Sequence, residues 1–208
     1  MKQTFGTAKI RVLIVSLFFI MQSCISTRMA EAINAHYYKY SFALRERTSR
    51  KEPCTFSNSI FSIAFEPQFI RVKYTITNFS KAPVQILWDK AYLVVHDDSS
   101  KIIPSTIAPE DADITPPPAE IQAGQTLQGF VTPIDYIKNT GQSWVATEFY
   151  PSHDDSLAPK TDWIMGLIGV DIFKLYIPVI ENGETKTYKY TFYPIEMEKS
   201  AVSQVPKE

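Results

Sequence analysis

The sequence predicts an all-β fold, an antiparallel two-sheet sandwich of about eight or nine short strands. Three observations predict it. Apolar and polar residues alternate with a period of two over several short runs, turn residues separate those runs, and no helical stretch stands between them. The composition agrees: aromatics make up 13% of the 208 residues, with 7 glycines and 14 prolines, which suits strands joined by proline-containing loops. An apolar fraction of 45% is far above that of a disordered stalk.

From Ser26 to about Arg50 two periods overlap. Met29, Ile33, Tyr37, Tyr40 and Leu44 repeat at helical spacing, whereas Tyr38, Tyr40, Phe42 and Leu44 alternate; a tether followed by a short strand is the favoured reading. Arg45, Arg47, Arg50 and Lys51 read as a solvated loop. Phe61, Ile63 and Phe65 then alternate with Ser62, Ala64 and Glu66 until Pro67 breaks the run. Ile70, Val72, Tyr74 and Ile76 face one way and Arg71, Lys73, Thr75 and Thr77 the other, the strongest period-2 signal in the chain. Asn78 to Pro83 is turn chemistry, followed by strands at Val84 to Trp88 and Tyr92 to Val95.

His96 to Lys101 reads as a polar turn, and Pro104 to Pro118 as an extended acidic loop without periodicity. A strand near Ile121, a turn at Ala123 to Gln125 and a returning strand at Leu127 to Val131 suggest local pairing. Asp135 to Asp162 is the least regular part, and the two glycines between Met165 and Val170 read as a turn or strand edge. The clearest hairpin closes the chain. Phe173, Leu175 and Ile177 lead to Asn182-Gly183, a pair that accepts the positive φ of a type I′ turn, and Tyr188, Tyr190 and Phe192 return. The expected organisation is 1–23 signal segment, 24–55 tether and first strand, 56–196 sandwich and 197–208 polar tail.

The N-terminus carries an address. Lys2, Lys9 and Arg11 precede an apolar run from Val12 to Met21, which Gln22 and Ser23 end too early for a bilayer span of roughly 20 residues. The run therefore reads as the helical core of a secretory signal. Met21-Gln22-Ser23-Cys24 resembles the lipobox of bacterial lipoproteins, with Ser23 as the small residue before the cysteine. The resemblance implies cleavage before Cys24 and its lipidation, with acyl chains that hold the mature chain on a membrane at about 0.8 kcal/mol per buried methylene. Ile25 stands where an aspartate would signal inner-membrane retention, so the resemblance implies the outer membrane facing the periplasm, with surface display as the other destination.

A formal net charge of -1 offers no basic field for nucleic acid or an anionic surface. With Cys24 carrying lipid, Cys54 has no intrachain partner and reads as a buried small hydrophobe. Val72-Lys73-Tyr74-Thr75-Ile76-Thr77-Asn78 and Ile121-Gln122-Ala123-Gly124-Gln125-Thr126 are similar to segments of the immunoglobulin-like domains of bacterial envelope lipoproteins. That resemblance covers Phe61 to Val131 and implies an immunoglobulin-like sandwich outside the cytoplasm, without implying an activity.

His-Asp-Asp occurs twice, at 96–98 and 153–155, in a chain with 3 histidines. His96, Asp98, His153 and Asp155 are thus weak metal-site candidates, since imidazole and carboxylate together suit a divalent ion. Both triplets lie where turns are expected, and Asp-Asp-Ser is common turn material. Pro109, Glu110, Asp111 and Asp113 lack the glycine and spacing of a calcium loop. No nucleophile elbow, phosphate-binding loop or paired-cysteine motif is present, and no motif calls for a cofactor. Trp88, Trp144 and Trp163, with Phe149 and Tyr150, form either a binding platform or core. The expected function is a non-catalytic binding or assembly module of the cell envelope, with an envelope protein or glycan as partner. The alternatives are a metal-dependent hydrolase built on the two His-Asp-Asp triplets and a purely structural envelope subunit.

Overall fold

The computed structural model describes residues 36–151, 153–154 and 166–201, with His36, Tyr37, His153, Asp154 and 199–201 described in backbone alone. The expected signal helix, Cys24, Asp155 and Trp163 lie outside the described residues. The chain divides into two units, one of 39–152 and 162–198 and a smaller one of 1–38, 153–161 and 199–208.

The fold is all-β and antiparallel. Fourteen strands occur among the described residues: β1 (His36–Leu44), β2 (Thr55–Ser57), β3 (Phe61–Gln68), β4 (Arg71–Asn78), β5 (Val84–Ile86), β6 (Tyr92–Val95), β7 (Asp98–Pro104), β8 (Ala119–Ile121), β9 (Thr126–Pro133), β10 (Ile137–Asn139), β11 (Trp144–Ala146), β12 (His153–Asp154), β13 (Phe173–Glu181) and β14 (Glu184–Ala201). The surplus over eight or nine comes from segments of two or three residues, too short for a period of two to show. Among the described residues no helix is long and apolar enough to cross a membrane.

In the larger unit the strands pair in the order β1-β14-β13-β6-β7-β9-β4-β3-β2, with β5 joining β13 to β8. β7 makes this path continuous. Its first residues pair with β6, as Tyr92 with Lys101, and its last with β9, as Ile103 with Thr132. One strand thus joins the two halves of the path, which curls, nearly as a barrel does and not as two separate layers, until β3 faces β14. Phe65 lies 4.8 Å from Tyr190 and 5.3 Å from Phe192, ring centre to ring centre. The core inside the path is rich in aromatics: Phe173 stacks on Phe192 at 4.4 Å, and Phe149 meets Phe173 edge-on at 5.2 Å. Such pairs contribute about 0.5–1.5 kcal/mol beyond the area they bury.

The alternation of β4 is realised: Val72, Tyr74 and Ile76 are buried, and Arg71, Lys73, Thr75 and Thr77 face outward and half-exposed. Pro67 does not end β3 but pairs opposite Val72, beyond Ala64, where β2 pairing has stopped and a missing N–H is tolerated. The Asn182-Gly183 turn has φ of 52° and 80° and connects Glu181 to Glu184, the hairpin its chemistry predicts. β14 then runs past Glu196 to Ala201, with Met197 buried, so strand replaces the first part of the expected polar tail.

Two expected turns are corrected. In His96 to Lys101 only His96 and Asp97 turn, with φ of 48° and 73°; Asp98 already pairs with Val95. His153 and Asp154 pair in extended backbone with Tyr37 and His36 rather than turning. The Ala123 to Gln125 turn joins strands that do not pair with each other. Ile121 pairs with Val84 and Leu127 with Ile76, so the turn passes between the two halves of the path.

Asn78 fixes that passage. It is fully buried, and its Nδ2 donates to the carbonyls of Ala82 and Ile121, both at 2.9 Å. Its Oδ1 accepts from Ser80 N and Oγ at 2.9 and 2.8 Å. The full hydrogen-bonding capacity of the amide is spent on loop backbone and one hydroxyl.

Candidate binding groove

A groove of about 500 Å³ opens on the outer face of β4 and β9, within the range of small-ligand sites. Register places its first two residues. Phe130 pairs with Lys73, so Arg71 is its diagonal neighbour on the same face, and the Arg71 guanidinium carbon sits 4.9 Å from the centre of the Phe130 ring. Arg71 Nε donates to Gln68 Oε1 at 2.6 Å across the Phe69-Ile70 turn. Its remaining donors have no partner among the described residues.

The second wall is the loop after β7. Ser105 N donates to the Phe130 carbonyl at 2.8 Å, which lays Ser105 to Pro109 along β9. Gly129 permits this close approach: a Cβ there would stand 2.7 Å from Tyr74 Oη and 2.8 Å from Ser105 Oγ. The third wall is the β10–β11 hairpin, which projects Trp144 into the lining with 41% of its surface exposed. Its tip is set by side-chain bonds: Asn139 Oδ1 accepts from Gly141 N at 2.7 Å, and Thr140 Oγ1 from Ser143 N at 3.1 Å. Thr147 N donates to the Tyr136 carbonyl at 2.7 Å and closes the base.

Arg71 is the single ionised residue in this lining. A neighbouring groove of about 400 Å³ shares Ile103 and has the opposite character, with Asp89, Asp113 and Asp135 against Lys101. Tyr136, close by, has its phenol pushed up from the ordinary value by burial and then by the Asp98 and Asp135 carboxylates.

The aromatic candidates separate cleanly. Trp88 is 3% exposed and packs 5.1 Å from Tyr74, and Phe149 and Tyr150 belong to the core, while Trp144 lines the groove. Burial drives the Tyr150 phenol above its ordinary value, with smaller contributions from Tyr40 and Glu148.

The metal candidates do not assemble within the described residues. His96 belongs to a hairpin tip and Asp98 starts β7, His153 is described in backbone alone, and Asp155 lies outside. Among the described residues no three His, Cys, Asp or Glu side chains gather as a metal site would require. Pro109 to Asp111 form a single exposed 3-10 turn.

The basic cluster is partly engaged, not wholly solvated. Arg45 stacks 3.8 Å from the Tyr193 ring centre, donates to Asp171 Oδ1 at 2.8 Å and bonds the Gly169 carbonyl. Arg47 donates to Tyr193 Oη at 2.6 Å. Cys54 is half-buried and its thiol donates to the Phe42 carbonyl at 3.0 Å; burial pushes its pKa up to about 12. Such a thiol is a packing group, not a nucleophile.

Sequence reasoning missed Arg71 and Phe130 as site residues. The available signal was Arg71 on the wet face of the strongest alternation, which marks exposure without marking a groove. Taken together the groove supplies aromatic faces, one cation and several hydroxyls. No family model matches this chain, and neither does any curated protein.

Proposed function

We propose that the chain is a lipid-anchored binding module of the bacterial cell envelope, in which Cys24 holds an immunoglobulin-like sandwich at the outer membrane, facing the periplasm. The domain is non-catalytic and captures another envelope component in the groove of Arg71, Phe130 and Trp144. One observation carries the binding reading: the exposed tryptophan and a guanidinium stacked on an aromatic ring line the same groove. Large rigid side chains give contact area at small entropic cost, and exposed Trp and Arg together are the usual anchors of recognition.

The anchor rests on Lys2, Lys9 and Arg11, the apolar run to Met21, and Ser23-Cys24. The sandwich reading is supported by β3 facing β14 across the aromatic core, where Phe65 meets Tyr190 and Phe192.

A photoreactive amino acid placed at Val145, beside Trp144, tests the reading in intact cells, with the same group at Gln122 as the control. Crosslinks to envelope material from position 145 and not from 122 are expected; equal yields from both overturn it. Labelling with an alkyne fatty acid tests the anchor, and Cys24→Ser abolishes the label if the reading holds.

A further inference from the structure

We propose that the ligand of this groove is an acidic saccharide, a sugar chain with carboxylates on its rings. This rests on the groove being the binding site argued above and adds the class of ligand.

Charge sets the sign. Arg71 is the only ionised residue of the lining, so the lining itself favours an anion, with the Glu66 carboxylate outside it and held by Gln68 Nε2 and Lys73 Nζ at 3.0 and 3.2 Å. The guanidinium is also pre-set. Its Nε is held by Gln68 Oε1 at 2.6 Å and its carbon lies 4.9 Å from the Phe130 ring centre, while its Nη groups have no partner among the described residues. A planar fork held in this way matches the two oxygens of a carboxylate, and it loses little freedom on binding.

The rest of the lining fits a sugar ring. Trp144 offers a flat, electron-rich face, and the C–H groups on one side of a pyranose carry the complementary positive charge. Ser105 and Thr106 are exposed hydroxyls in the same lining, able to donate and accept as sugar hydroxyls require. An extended peptide that added to β9 would need an open strand edge along the groove. Where β9 lines the groove, at Phe130 and Thr132, that edge is closed: the Phe130 carbonyl is taken by Ser105 N, and Val131 to Pro133 pair with β7.

Calorimetry on the full lipidated chain in detergent micelles tests the inference with three probes: trigalacturonate, a hyaluronan tetrasaccharide, and the disaccharide of N-acetylglucosamine and N-acetylmuramic acid. At least one is expected to bind, and its carboxyl-reduced counterpart to bind at least tenfold more weakly. Arg71→Met and Trp144→Ala should each weaken binding at least tenfold at an unchanged thermal midpoint. The comparison of acidic and neutral sugar needs no variant, so a folding defect does not blunt the test. No binding by any acidic saccharide, equal binding of the neutral form, or capture of an acidic peptide instead overturns the inference. Crosslinking from Val145 that persists in any of those cases overturns the ligand class alone; its absence overturns the groove reading as well.

Discussion

The side-chain amide of Asn78 donates to the carbonyl of Ile121 at 2.9 Å across 43 positions of sequence. The bond ties the end of β4 to the end of β8, which pair in different halves of the path. Asn78→Ala leaves the buried Ile121 carbonyl without this donor, while the Ala82 carbonyl, in a part-buried setting, keeps the Ser80 hydroxyl at 2.7 Å. A loss of about 1–3 kcal/mol follows from one buried bond and three part-buried ones, and urea unfolding reads it. Asn78→Asp should be worse, because an ionised carboxylate cannot donate to either carbonyl.

Gly129→Ala introduces a Cβ 2.7 Å from Tyr74 Oη, and Tyr74 is wedged against Trp88. The substitution should cost about 1–3 kcal/mol by overpacking. Tyr74→Phe removes the nearer obstacle, so the double variant should recover part of that loss. Strict additivity of the two changes would contradict the contact.

Tyr188 links pH to stability. Its phenol is pushed up to about 12 from 10.0 by burial and then by its hydrogen bond to Glu181 Oε2, which is 2.9 Å long. Because the folded pKa is the higher one, the native state favours the neutral phenol. That stabilisation is full below pH 10 and is lost as pH rises from about 10 to 12. Tyr188→Phe should flatten the alkaline fall in unfolding free energy by one proton's share, the remainder coming from the other groups that burial pushes up, Cys54, Tyr74, Tyr136, Tyr150 and Tyr190. An unchanged slope would contradict this assignment.

Cys54 should resist thiol reagents in the native protein at neutral pH and react at the ordinary rate in urea. Its pKa near 12 leaves almost no thiolate. Rapid native labelling by an aromatic disulfide reagent, followed by absorbance, would contradict the burial.

How much of this was legible follows from where each signal resides. The hairpin around Asn182-Gly183 could be read because its turn chemistry and its alternation are both local, and the β4 faces for the same reason. The partners of Ile121 could not: Val84 and Ile121 meet through a pairing with no local mark, and the Ala123 to Gln125 turn suggested a hairpin that the register refuses. His96-Asp97 is a two-residue turn made without glycine, and the polar run from Asp98 to Lys101 carries no local mark that separates strand from turn. The groove was the least legible feature. Trp144 and Trp88 look alike in the sequence, and only the β10–β11 hairpin, whose faces scarcely alternate, separates an exposed tryptophan from a buried one.

The groove reading is tested most directly by retention of solubilised envelope material on the immobilised full-length chain. The wild-type protein should retain a defined component, and the Arg71→Met, Trp144→Ala double variant, folded to the same thermal midpoint, should lose at least nine-tenths of it, as roughly tenfold or larger losses at each anchor imply. Equal retention by both proteins would contradict the account.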